Sequence, residues 1–197
     1  MINKVAKKSA QAFIKNNTRF QNVEIYEYAF FIMLSTIVFL VYTIIIGTVL
    51  NVMLESVLFY FLFMLIRMYA GGYHASKETT CDIITSLSIL VCVVLIRLSK
   101  TYDFQILIFV ITMFSALCIL VLSPLDTPEK PLTDKEYCHY RKISWSILLI
   151  ISAVVLVSFI FKWKALFFPS CLSLILESIL LIAGKVKRVY QLKNVEQ

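Results

Sequence analysis

Six long apolar runs constrain this 197-residue chain more than any other feature. They cover roughly 28–49, 52–70, 82–99, 104–122, 144–161 and 164–183. Each is close to the ~20 residues an α-helix needs to cross a ~30 Å hydrocarbon core. Inside lipid only helices or closed barrels satisfy the backbone. Composition points the same way: 60% of residues are hydrophobic and 16% charged, against roughly half apolar in a soluble domain. Too few polar residues remain to cover a soluble surface. The expected fold class is an all-α integral membrane protein with about six transmembrane helices. The third and fifth runs are the shortest and leave room for tilted or re-entrant segments. A four-span arrangement with two buried hairpins is the alternative.

Residues 1–27 read as a basic amphipathic helix on the membrane surface. Ile2, Val5, Ala6, Ala12, Phe13, Phe20 and Val23 recur at nearly helical spacing, interrupted by Ser9 and Asn16, with Lys4, Lys7, Lys8, Lys15 and Arg19 between them. Residues 28–184 form the polytopic helical domain, and 185–197 a basic tail. With the amino terminus inside, Arg67, Lys77, Lys130, Lys135, Arg141, Lys142, Lys185, Lys187, Arg188 and Lys193 share its side. Only Arg97, Lys100, Lys162 and Lys164 face the other way. That asymmetry predicts both termini, and the polar windows 67–82 and 123–143, in the cytoplasm. The net charge of +7 thus reports orientation. No groove-reading motif points to nucleic acid, whereas anionic lipid or an acidic peptide suits the basic segments. No secretory signal is expected, since the first twenty residues lack an apolar core.

Between the second and third runs lies a short polar window, Arg67-Met-Tyr-Ala-Gly-Gly-Tyr-His74-Ala-Ser-Lys-Glu-Thr-Thr-Cys81-Asp82. Cys92, Cys118 and Cys171 sit in apolar runs and read as small buried hydrophobes. Cys81 instead lies in the polar window, on the reducing side, as a free thiol. An imidazole or a helix amino terminus lowers a thiol's pKa and makes it a nucleophile. Thr79 reads as the N-cap of the third helix, with Asp82 in a capping-box position, so Cys81 falls in the first turn. There the helix dipole favours thiolate and free N–H groups can hold an oxyanion. On one continuous helix His74 and Cys81 would be about 10.5 Å apart, too far to interact. Residues 75–80 must therefore turn back, helped by Gly71 and Gly72. On spacing alone an ordinary polar loop explains the pair better than catalysis does. The adjacent Cys138-His139 reads as loop chemistry without function. These cysteines and histidines show no metal-ligand spacing, so no metal or cofactor is expected.

Arg67-x-x-Ala70-Gly71-Gly72-Tyr73-His74-Ala75, followed by Cys81, resembles the signature of the accessory gene regulator B family. These are bacterial membrane cysteine endopeptidases that process quorum-sensing propeptides. Pro124-Leu125-Asp126 and Glu129-Lys130-Pro131-Leu132 resemble its second cytoplasmic motif, and the multi-span pattern agrees over essentially the whole chain. The resemblance implies Cys81 as nucleophile, His74 as its partner, and supporting roles for Arg67 and Gly72. It also implies a short amphipathic propeptide substrate, a thioester on Cys81, closure to a cyclic thiolactone or lactone, a bacterial cell membrane location and a homodimer. Asp82 or Ser86 is the candidate to orient His74. Lys130 and Lys135 are candidates to hold an acidic peptide tail. Glu177, a carboxylate inside the last run, is a functional candidate because such a charge is costly in lipid; contact with substrate, or pairing across a helix or dimer interface, are its expected roles. A small peptide exporter using Glu177, and a non-enzymatic membrane partner, are the competing classes.

Overall fold

Each apolar run organises as a helix because its backbone hydrogen bonds close within the segment. The computed structural model describes residues 23–73, 78–125 and 133–195. The expected surface helix falls largely in 1–22, outside them. The described residues form six helices: α1 Val23–Val49, α2 Met53–Ala70, α3 Glu78–Leu98, α4 Gln105–Leu122, α5 Asp134–Ile160 and α6 Lys164–Val195. All six are long and apolar enough to cross a membrane. The protein is an all-α integral membrane protein, and six full-length helices replace the four-span alternative.

The helices run up and down. Tight connections lie at one end. Asn51 and Lys162 each turn the chain with φ of 55°, and Lys100 closes the α2–α3 hairpin through Glu55 at 2.8 Å. The other end gathers the start of α1, the end of α2, the start of α3, the end of α4, the start of α5 and the end of α6. Length explains how far the elements reach. α2 and α4, at 18 residues, just match the hydrocarbon core, at ~1.5 Å per residue. α5 has 27 residues and α6 has 32, so both exceed it.

Two elements differ from the sequence expectation. The polar window 123–143 is not all loop, because α5 begins at Asp134. A capping box starts it: the Thr133 hydroxyl accepts from Glu136 N–H at 3.4 Å, and the Glu136 carboxylate accepts from Thr133 N–H at 3.0 Å. The fifth helix is therefore among the longest rather than the shortest, and Cys138-His139 stands on it. In the second case, α3 begins at Glu78. Thr79 is its second residue, not its N-cap.

α6 is the central helix. It packs against α4, α2, α5 and α3, and 67% of its apolar window is buried, against 6% for α1. Three apolar clusters build this core. Phe59, Tyr60, Phe63, Ile89, Val93, Ile96 and Leu172 join α2, α3 and α6. Nearer the polar end, Ile66, Ala70, Ile119, Leu148, Ile151, Leu174 and Leu181 join α2, α4, α5 and α6. An aromatic cluster around Phe167 and Phe168 fills the opposite end. Several buried hydroxyls are satisfied on their own helices, as Thr112 on Ile108 O at 2.7 Å and Ser170 on Leu166 O at 2.8 Å, while those of Ser123 and Ser144 pair across elements at 2.9 Å. Cys92 and Cys171 are buried as expected, whereas Cys118 is only half-buried.

Candidate functional site

The site grows from the last turn of α2. Gly71 ends the helix with φ of 79°, and Gly72 follows with φ of 135°. Both values belong to the region that side chains rarely enter. Gly71 N–H closes the last turn on Arg67 O at 3.2 Å. The freed Ala70 carbonyl accepts from Leu125 N–H at 2.8 Å, which ties the residues after α4 to the end of α2. A single helix from Arg67 through Cys81 is thereby excluded. α2 and α3 pack against each other, and the chain leaves α2 through Gly71–Tyr73 in a non-helical backbone.

Arg67 clamps this exit. One guanidinium nitrogen, Nη1, donates to Gly71 O at 3.1 Å, and the other, Nη2, donates to Tyr73 O at 2.8 Å. Tyr73 N–H donates to Leu180 O on α6 at 3.0 Å. A Cβ on Gly72 would run into the Arg67 guanidinium. Gly184 serves the same closeness from the other side. A Cβ there would lie 3.0 Å from both Gly72 C and Tyr73 N, and 2.5 Å from Leu125 Cδ2. Gly184 is the residue that reading the sequence missed. A lone glycine inside a helical run costs ~1 kcal/mol relative to alanine, and that was the available signal.

Beneath the clamp, Glu177 is fully buried, with Oε2 3.8 Å from Arg67 Nη1. Two unit charges ~4 Å apart attract by roughly 4 kcal/mol at an effective dielectric of 20. Desolvation offsets much of this, so such a pair contributes more to geometry than to stability. Glu177, expected at the substrate or across helices, meets Arg67 across the α2–α6 packing.

Cys81 is half-buried in the first turn of α3, just after the helix's first N–H groups, which have no intrahelical acceptor. Its carbonyl accepts from the Thr85 hydroxyl at 2.9 Å. The Ser86 hydroxyl donates to Asp82 O at 2.7 Å, so it serves its own helix here. Ser86 O in turn accepts from the Tyr42 hydroxyl of α1 at 3.3 Å. His74 and Lys130 lie outside the described residues. Lys135 is exposed on the first turn of α5. Arg141 lies over the Trp145 ring, 4.7 Å from its centre, and Lys187 of α6 over the Tyr73 ring at 5.6 Å. Basic side chains of α5 and α6 thus surround the end of the molecule that holds Cys81. Among the described residues no three His, Cys, Asp or Glu side chains gather to hold a metal.

The sequence model of accessory gene regulator B matches residues 2–181. A protein named AgrB-like, from Clostridium perfringens strain SM101, is 28% identical over 148 residues, covering 72% of this chain and 69% of its own length. A second AgrB-like protein, from C. perfringens strain 13, is 27% identical over 149 residues with the same coverage. No solved structure matches the chain.

Proposed function

The chain belongs to the accessory gene regulator B family, and from that premise we propose that it is a cysteine endopeptidase cutting a peptide-signal precursor. Membership gives it a role in the accessory gene regulator quorum-sensing system, and its six apolar helices make it a multi-pass membrane protein. The observation that carries the finer reading is the placement of Cys81. It stands in the first turn of α3, seven residues after His74 in the sequence.

In this reading Cys81 Sγ attacks a peptide carbonyl at the carboxyl end of the future signal. His74 takes the thiol proton and delivers it to the departing amine. The carbon–nitrogen bond breaks, the C-terminal fragment leaves, and the signal remains on Cys81 as a thioester. A Cys or Ser inside the peptide then attacks that thioester, closing a ring and returning the thiol. Thioester for thioester is nearly an even exchange, and a dry site suppresses hydrolysis. The reducing, cytoplasmic side is where this end of the molecule would face, and the basic residues Lys130 and Lys135 would meet an acidic peptide tail or anionic lipid.

The exporter reading drew on the six spans, the small size and Glu177 as a transport group; the contact of buried Glu177 with Arg67 supports a role within the fold instead. The deciding experiment uses full-length protein in proteoliposomes with a candidate propeptide. Cys81→Ala and Cys81→Ser should abolish cleavage, and His74→Ala should slow it by ~10²–10⁴-fold. Continued cleavage by both Cys81 variants would exclude the nucleophile assignment.

A further inference from the structure

We propose that Glu177 is a positioning residue. Through Arg67 it fixes the backbone of Gly71–Tyr73, the segment from which the chain enters the His74–Cys81 window. The inference rests on the endopeptidase reading above for its catalytic consequence, but not for its geometry.

Glu177 is 0% exposed, and neither of its carboxylate oxygens has a hydrogen-bond partner among the described residues. No surface opening reaches it. What it meets is the Arg67 guanidinium, 3.8 Å away. That guanidinium already donates to two backbone carbonyls, those of Gly71 and Tyr73. Lysine, a point charge on a flexible stem, cannot present this planar fork. The carboxylate thus anchors the cation from the α6 side while the carbonyls hold it from the loop side.

The register of α6 supports the same role. Glu177, Leu180 and Gly184 are spaced i, i+3, i+7 and share one helical face. Every one of them touches the α2 exit. Glu177 meets Arg67, Leu180 O accepts from Tyr73 N–H, and Gly184 leaves room for Gly72 and Tyr73. This face of α6 is a seat for residues 67–73. A group that bound or carried substrate would need an open approach, which complete burial denies it.

Two measurements on the full-length protein in lipid test this: hydrogen exchange of the Gly71–Tyr73 amides, and single-turnover cleavage of a propeptide. Glu177→Gln keeps the shape and removes the charge. It should speed exchange at Tyr73 by about tenfold or more while α4 amides stay at wild-type rates. It should also slow cleavage by roughly 10–100-fold with half-saturation by the propeptide unchanged. Glu177→Asp, which restores the charge at shorter reach, should recover part of both. Arg67→Gln with Glu177→Gln should be no worse than Arg67→Gln alone, because the two act as one unit. Wild-type exchange at Tyr73 in Glu177→Gln, wild-type cleavage by that variant, or additive losses in the pair would each overturn the proposal. If Glu177→Gln fails to fold, recovery of folding in the double variant supports the pairing and continued failure overturns it. Cleavage that survives in both Cys81 variants sinks the endopeptidase reading instead, and the exchange measurement still decides the positioning role.

Discussion

At the scale of single residues, the site depends on an absent side chain as much as on a charged one. Gly72 has a backbone conformation that side chains rarely adopt, with φ of 135°, and the volume a Cβ would take is filled by the Arg67 guanidinium. Gly72→Ala must displace either the arginine or the backbone. Cleavage should fall by ~100-fold, the scale of loss for a misplacement near 1 Å, with the protein still accumulating in the membrane. Gly184→Ala is the milder case. Its Cβ would press on the backbone of Gly72 and Tyr73 at 3.0 Å, which must yield by a few tenths of an ångström. Its cleavage rate should fall between those of wild type and Gly72→Ala, measured in the same proteoliposome assay. Equal rates for all three proteins would show that the tight contact has no bearing on activity.

At the scale of the elements, hydropathy located every span but not where every helix starts. The apolar run beginning near 144 reports where lipid contact starts on α5. The helix itself starts at Asp134, nearly three turns earlier. The signal was present as Thr133-x-x-Glu136, a capping box before a charged amphipathic stretch. The same motif read at Thr79–Asp82 placed the α3 start one turn's fraction late, because Glu78 is already helical. Cap chemistry marks helix ends in polar water, where an apolar run is silent. Thr133→Ala should therefore destabilise the first turn of α5 by ~1 kcal/mol. Amides of 134–138 should exchange about fivefold faster, while those of α6 are unchanged. Cleavage should hardly change, unless Lys135 on this turn holds the propeptide. In that case binding, not turnover, weakens.

At the scale of the whole molecule, the sequence displayed the candidate catalytic window as one contiguous motif, but not what holds it. Arg67 and Gly72 were legible because they lie next to His74 in the chain. Their seat on Glu177, Leu180 and Gly184 was not legible, because it forms only when α6 packs centrally against α2, and no local pattern encodes that pairing. Glu177 drew notice only as a carboxylate in an apolar run. Topology is the global property that charge placement does address. The up-and-down arrangement puts the start of α1, Cys81, the α5 capping box and the end of α6 at one end. Thr101 and the α5–α6 turn lie at the other. If lysine and arginine asymmetry sets the orientation, the Cys81 end faces the cytoplasm. A variant retaining only Cys138, which is exposed on α5, should resist a membrane-impermeant maleimide on intact cells and react after permeabilisation. A variant retaining only a cysteine introduced by Thr101→Cys, at the exposed α3–α4 turn, should react on intact cells. The reverse pattern would put Cys81 on the outer face. There an oxidising surroundings would threaten its thiol, and a propeptide made in the cytoplasm would have to cross the membrane before it could be cut.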